Sequence, residues 1–164
     1  MLIPLIQFYC DECGEIIDSP KDGFVEWLEI TDEKTEKKTV NGFRIVHRKT
    51  QSPLKAIKHD GCYKYGNNDN RMDNELSYIL ENSHQFIFSY LDLGFIHDSN
   101  GEIGSLIVDY KSFVDFAKRL TIPYYEEARK YFSIAYQEGY FSEENEVGLF
   151  TESTLKSIIA RYSE

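Results

Sequence analysis

Two periods of apolar spacing divide this chain. Up to about residue 66 the apolar positions alternate or come in short bursts between polar turns. Beyond it they recur at the three-to-four-residue interval of a helix face. "LIPLIQFY" predicts a first strand, ending at the cysteine pair that follows. "GFVEWLEI" (23–30) predicts a second, with Phe24, Trp27 and Ile30 competing for the inside. "TDEKTEKK" reads as a solvated hairpin tip, and "TVNGFRIVHRK" resumes the strand pattern. In that strand Phe43, Ile45 and His47 share one face and Arg44, Val46 and Arg48 the other. Ser52-Pro53 and Asp60-Gly61 mark loops and a turn.

"GNNDNRMDN" (66–74) has the polar character of a linker, and the period changes after it. Asp73 is placed to cap a short helix carrying Leu76, Ile79 and Leu80. Ser83 is placed to cap a second, with Phe86, Ile87, Tyr90 and Leu91 inward and Gly94 as its stop. "HDSNGEIG" predicts a turn. Asp109 then caps a helix whose Phe113, Phe116, Ala117 and Leu120 fall on one face. Thr121 and Pro123 open "YYEEARKYFSIAYQE", closed by Gly139, with Tyr125, Ala128, Phe132 and Ala135 as its core face. Thr151 starts a last helix bearing Leu155, Ile158, Ile159 and Tyr162. No internal repeat or low-complexity tract interrupts this order.

Composition sharpens the picture in two ways. The 12 Tyr and 11 Phe among 164 residues belong to a chain that buries a core, not to a disordered one. No stretch reads as a signal peptide, a transmembrane helix or a lipidation motif, so the expectation is a cytoplasmic protein without a membrane partner. The Lys, Glu, Asn, Ile and Tyr bias is common in AT-rich genomes, those of many phages among them. The net charge of −10 conceals an asymmetry: residues 34–64 carry nine Lys or Arg against Glu36 and Asp60, whereas the rest of the chain is acidic.

The cysteines carry the clearest chemistry. "CDECG" sets Cys10 and Cys13 two residues apart, so that one tight turn can present two thiolates to a metal ion. Gly14 supplies the left-handed position such a turn often needs. Three cysteines, an odd number, in a chain read as cytoplasmic favour metal binding or free thiols over a disulfide. Cys62 is the only other thiol, and the fourth ligand of a structural Zn2+ site must then be a histidine. His47 stands at a strand end on the face of Phe43 and Ile45; His59 stands in for it as the alternative, in a His-x2-Cys turn with Cys62. Three thiolates and one imidazole close the coordination sphere and leave no position for a reacting water, so the metal's role is folding.

On "CDECG" and "GC" this front segment resembles zinc-ribbon and zinc-knuckle modules over about the first 65 residues, although its second half is not Cys-x2-Cys. The chain as a whole loosely resembles uncharacterised proteins of Gram-positive bacteria and their phages. The fold class expected is α+β: a small zinc-stabilised β-rich module over 1–66 followed by an α-helical domain over 67–164.

Enzyme signatures are thin. A metal-dependent nuclease of the HNH type is the nearest enzyme reading, but "IVHRK" lacks the acid that usually precedes the catalytic His. Only His59, His84 and His97 remain for a second metal. "HD" at 59–60 and 97–98 reads as turn residues. The His-x-Glu of zinc deaminases is absent, "DSNGE" lacks the closing ligands of a calcium loop, and no phosphate-cradling Gly-rich loop or G-x-S-x-G occurs. Glu126 and Glu127, adjacent on a helix, point about 100° apart and read as a solvated face paired with Arg129 or Lys130.

The expectation is therefore a non-enzymatic, zinc-stabilised acidic binding or regulatory protein. It would engage a protein partner through its helical region, where Tyr124, Tyr125, Tyr131, Tyr136 and Tyr140 are more rings than one buried stripe can use. A phage or mobile-element modulator fits that composition. The alternative is a nucleic-acid-binding zinc module using Arg44, Arg48, Lys49, Lys55, Lys58 and Lys64, interleaved with Phe43, Tyr63 and Tyr65.

Overall fold

A computed structural model describes residues 1–34, 38–64, 71–93, 107–142 and 148–163, with the side chains of 92 and 93 excepted. The fold is α+β, with antiparallel strands at the front and helices behind. Strands β1 (Phe8–Tyr9) and β2 (Ile16–Ile17) form a two-stranded ribbon. Strands β3 (Gly23–Thr31), β4 (Lys38–His47) and β5 (Arg71–Glu75) form a three-stranded sheet in the order β4-β3-β5.

The first strand is shorter than the run "LIPLIQFY" suggests. Pro4 has no N–H to give a ladder, Leu5 is left-handed (φ 57), and the N–H groups of Ile6 and Gln7 turn back onto the Ile3 carbonyl. The hairpin of β3 and β4 forms as expected, pairing Gly23 with His47 at one end and Thr31 with Lys38 at the other. Between Glu26↔Arg44 and Leu28↔Asn41, one residue of β3 faces two of β4. Gly42 takes φ 62 there, the conformation such a bulge needs and other residues resist. The bulge brings the rings of Phe43 and Trp27 into a stack 5.9 Å apart. Val25 and Trp27 take the inside of β3; Ile30 stays half-exposed near the hairpin tip.

All but the last residue of β5 falls in the stretch 66–74 read as a linker. Its residues read as polar because an edge strand is held by backbone pairing and keeps most of its side chains in or near solvent. It pairs with β3 from Phe24↔Glu75 to Leu28↔Arg71. Asp73 is accordingly in the strand, where it accepts from the Tyr63 hydroxyl at 2.8 Å, and helix α1 (Leu76–Glu81) starts without a side-chain cap. Helix α2 (Ser83–Leu93) packs Phe86, Ile87, Tyr90 and Leu91 against the sheet. Gly94 and the turn expected at 97–104 lie outside the described residues.

Helix α3 (Tyr110–Thr121) follows its sequence pattern. Asp109 caps it by accepting from the Ser112 N–H, and Phe113, Phe116 and Leu120 are buried against the sheet. Phe43 meets Phe113 and Phe116 at ring distances of 5.1 and 5.2 Å, so one aromatic cluster joins hairpin and helices. The helix expected from Pro123 to Glu138 is broken into α4 (Tyr125–Ala128), a 3-10 turn (Arg129–Tyr131) and α5 (Phe132–Gln137). Tyr124 precedes it with φ 67, and Gly139 (φ 71) ends it. Its core face is the one the spacing predicts: Tyr125, Ala128 and Ala135 are buried and Phe132 half-buried. Helix α6 (Glu152–Tyr162), capped by Thr151, closes a second apolar cluster through Leu155, Ile158 and Ile159.

Candidate metal centre

Three segments deliver four ligand atoms to one place. Cys10 follows β1, and a tight turn in which the Gly14 N–H donates to the Cys10 carbonyl at 2.8 Å brings Cys13 back beside it. Gly14 adopts φ 78, as the motif requires. His47 is the last residue of β4. Cys62 follows Gly61 (φ 62), where an added Cβ would meet Ser52 Oγ at 2.5 Å. The ligand atoms of Cys10, Cys13, His47 and Cys62 lie within 4.8 Å of one another, and Cys10, His47 and Cys62 are buried. This group could hold a metal ion. His59 is not part of it: its side chain is 88% exposed and its Nδ1 stands 3.0 Å from Asp60.

Hydrogen bonds fix the ligand atoms. His47 Nε2 lies 3.1 Å from the Ile16 carbonyl oxygen. A carbonyl can only accept, so Nε2 carries the proton and Nδ1 keeps its lone pair. That Nδ1 lies 3.5 Å from Cys13 Sγ and 3.9 Å from Cys62 Sγ. Ser52 solves the matching problem for Cys62. Its buried hydroxyl accepts from the N–H groups of Leu54 (3.1 Å) and Cys62 (3.0 Å), leaving its own proton for Cys62 Sγ at 3.0 Å. A sulfur that receives a hydrogen bond is favoured as thiolate. Burial nevertheless pushes Cys13 up to about 12, against the help of the Glu15 N–H, with the neighbouring Cys10 and Cys62 thiols adding to the rise. Burial and the Cys10 thiol also raise Cys62, against its hydrogen bond from Ser52. Buried thiols so close together ionise together only with a cation among them.

The basic segment around the site is internally neutralised. Arg44 lies between the fully buried Glu26, to which its Nε donates at 2.8 Å, and Glu12 at 2.9 Å. Lys58 and Lys64 reach the same Glu12 at 2.8 and 3.1 Å. Burial would raise the Glu12 carboxyl, but hydrogen bonds from Lys58, Lys64 and Arg44 bring it down to about 2. Arg48 pairs with Glu75 and Lys49 with Asp60, each at 2.7 Å; Arg48 also lies over the Phe24 ring. Lys55 donates to the Thr50 carbonyl. Tyr65 lies outside the described residues.

The residues that sequence reasoning misjudged are Glu126 and Glu127. They are not a solvated face but buried, at 5% and 6% exposure. Glu126 accepts from the Tyr9 N–H at 2.9 Å and from Arg119 Nε at 2.6 Å, while Glu127 accepts from the Leu2 N–H at 2.6 Å. Arg119, itself 3% exposed, also donates to Asp11 Oδ2 at 2.6 Å and to the Tyr9 carbonyl at 3.2 Å. Burial opposes its charge, but Asp11 and Glu126 outweigh that and raise its pKa further. Asp11 lies between the two cysteines of the knuckle and also accepts from the Ile45 N–H at 2.6 Å. The signal was present: Arg119 falls three residues after Phe116, on the apolar face of α3.

The chain matches no protein-family model, no curated protein and no solved structure. Among the described residues, no helix is long and apolar enough to cross a membrane.

Proposed function

We propose that this is a non-enzymatic binding protein, built around a structural Zn2+ and engaging a protein partner through its acidic helical region. The observation that carries the reading is the donor set of Cys10, Cys13, Cys62 and His47 Nδ1. Three sulfurs and a nitrogen suit zinc among the biological divalent ions, and four protein ligands leave it no open position for a substrate. The metal's contribution is to hold β1, the end of β4 and the 61–62 turn in one unit.

Exposed apolar side chains on the helices support the partner. Tyr110 and Val114 on α3 are 49% and 44% exposed, and Ile134 and Tyr136 on α5 are 44% and 77% exposed. Tyrosine at such positions offers contact area with little conformational entropy to lose. Against the nucleic-acid alternative, five of its six candidate cations are engaged by carboxylates, and the net charge of −10 opposes approach to phosphates.

Metal analysis of the purified protein tests the first half: one zinc per chain is expected, and none, or a redox metal in its place, overturns it. Affinity capture with wild-type bait beside Tyr110→Ala/Tyr136→Ala tests the second. A protein recovered by the first and lost by the second supports the reading. Tight binding of single-stranded DNA in a low-salt gel shift, or its hydrolysis in added Mg2+ or Mn2+, overturns it.

A further inference from the structure

Beyond the metal centre, the helices form a pocket of about 610 Å³ that is open to solvent on one side, within the volume range of small-molecule sites. Its walls are Phe132 and Tyr136 from α5, Phe141 after it, and Leu149 and Phe150 before α6. Phe132 stands between Phe141 and Phe150 at ring distances of 6.0 and 6.3 Å, and Tyr125 supports it from beneath at 5.4 Å. These rings brace one another, so the hollow does not depend on a ligand to form.

Among the described residues, one charged side chain lines this pocket: Lys111, in the first turn of α3. It also lines a neighbouring polar cleft of about 380 Å³, where Arg44, Arg119 and Arg129 stand beside Asp11 and Asp115. Those three guanidinium groups are held by carboxylates: Arg44 by Glu12 and Glu26, Arg119 by Asp11 and Glu126, Arg129 by Asp11, Asp115 and Glu126. Lys111 makes no ion pair among the described residues. A second cation, Lys118, lies 3.8 Å from the Phe150 ring centroid. A cation at the pocket wall disfavours a cationic guest, which an aromatic cage would otherwise attract.

We propose that this pocket binds a small apolar carboxylic acid, its ring or alkyl body among Phe132, Phe141 and Phe150 and its carboxylate on Lys111. Ser133 and Gln137, also at the wall, can donate further hydrogen bonds to the head group.

Calorimetric titration of the full zinc-loaded protein with 2-naphthoate, its neutral amide and its aminomethyl analogue tests this. The naphthoate is expected to bind one to one with a Kd of roughly 1 mM or tighter, about tenfold better than the amide and better still than the amine. In Lys111→Gln the carboxylate and amide should bind alike. In Ser133→Trp, an exposed position whose enlarged side chain enters the pocket, all binding should vanish. On the wild type, NMR shift changes confined to 111, 132–141 and 149–150 would locate the ligand without any variant. No saturable binding, binding unaltered by Ser133→Trp in a folded variant, an amide as good as the acid, or shifts elsewhere would overturn it.

Discussion

Arg119 Nη1 lies 2.6 Å from Asp11 Oδ2, which ties the third helix to the middle residue pair of the cysteine knuckle. Arg119 is buried and Asp11 partly so, and the buried Glu126 and the Tyr9 carbonyl complete the guanidinium's surroundings. Removing one partner from such a group leaves charges without compensation. Arg119→Met should therefore cost about 3–5 kcal/mol, the ordinary penalty for breaking a buried pair from one side. Urea unfolding with tryptophan fluorescence measures it, since Trp27 lies in the aromatic cluster that α3 covers. A loss below about 1 kcal/mol would mean the network is solvated.

Chelating the proposed Zn2+ should loosen more than the front strands. Because Asp11 belongs to the knuckle, losing the ion frees the segment that holds Arg119, and with it Glu126. Hydrogen exchange after chelation should rise at the amides of Tyr9, Asp11 and Ile45, and also over α3 and α4. Exchange that rises only in residues 8–17 and 45–62 would show that the two parts are not coupled.

Of the two histidine candidates, His47→Ala should lose stoichiometric metal and His59→Ala should keep it. Cobalt substitution provides an independent reading, because three thiolates and an imidazole give tetrahedral visible bands that His47→Ala should change and His59→Ala should not.

Ser52→Ala removes the hydroxyl proton from Cys62 Sγ and leaves two N–H donors, those of Leu54 and Cys62, without their acceptor. Metal affinity should fall by roughly 10–100-fold, the usual effect of an outer partner of a ligand. Competition with a chromogenic chelator measures it. Gly61→Ala should be worse tolerated, since the new Cβ meets Ser52 Oγ in a left-handed backbone.

The Asp109 cap gives a pH test with a definite sign. Hydrogen bonds from the Ser112 hydroxyl and N–H hold its carboxyl below the usual 3.8. A group with a depressed folded pKa stabilises fully above its unfolded value, and that contribution disappears as pH falls through the lower folded one. Wild type should exceed Asp109→Asn in stability at pH 6, and the gap should close as pH drops below about 3.9. A gap independent of pH would show that the cap acts without its charge.

Much of this was legible in the chain. The Cys-x2-Cys turn, Gly14, the hairpin, the α3 stripe and the caps at Asp109 and Thr151 are local signals, each set by a few neighbouring residues. The choice of His47 over His59 was not, because both lie near Cys62 in some plausible turn and only the β3–β4 register brings His47 to β1. β5 escaped for the opposite reason, since an edge strand held by backbone pairing need not show an apolar pattern. The burial of Glu126 and Glu127 was hidden by their abundance of apparent helix partners. Glu126 does pair with Arg129 as expected, at 3.3 Å, but the backbone N–H groups that draw the two carboxylates inside, those of Tyr9 and Leu2, stand more than a hundred residues away.

That separation governs the order in which the protein can be completed. A growing chain that has passed Cys62 already holds every metal ligand, but the Tyr9 N–H still waits for Glu126. Until residue 126 has emerged from the ribosome, Arg119 has no carboxylate beyond Asp11 to share its interior position. The front half of this protein is consequently finished by its back half, and a fragment cut after Leu120 would expose an arginine and an amide that the complete molecule keeps dry.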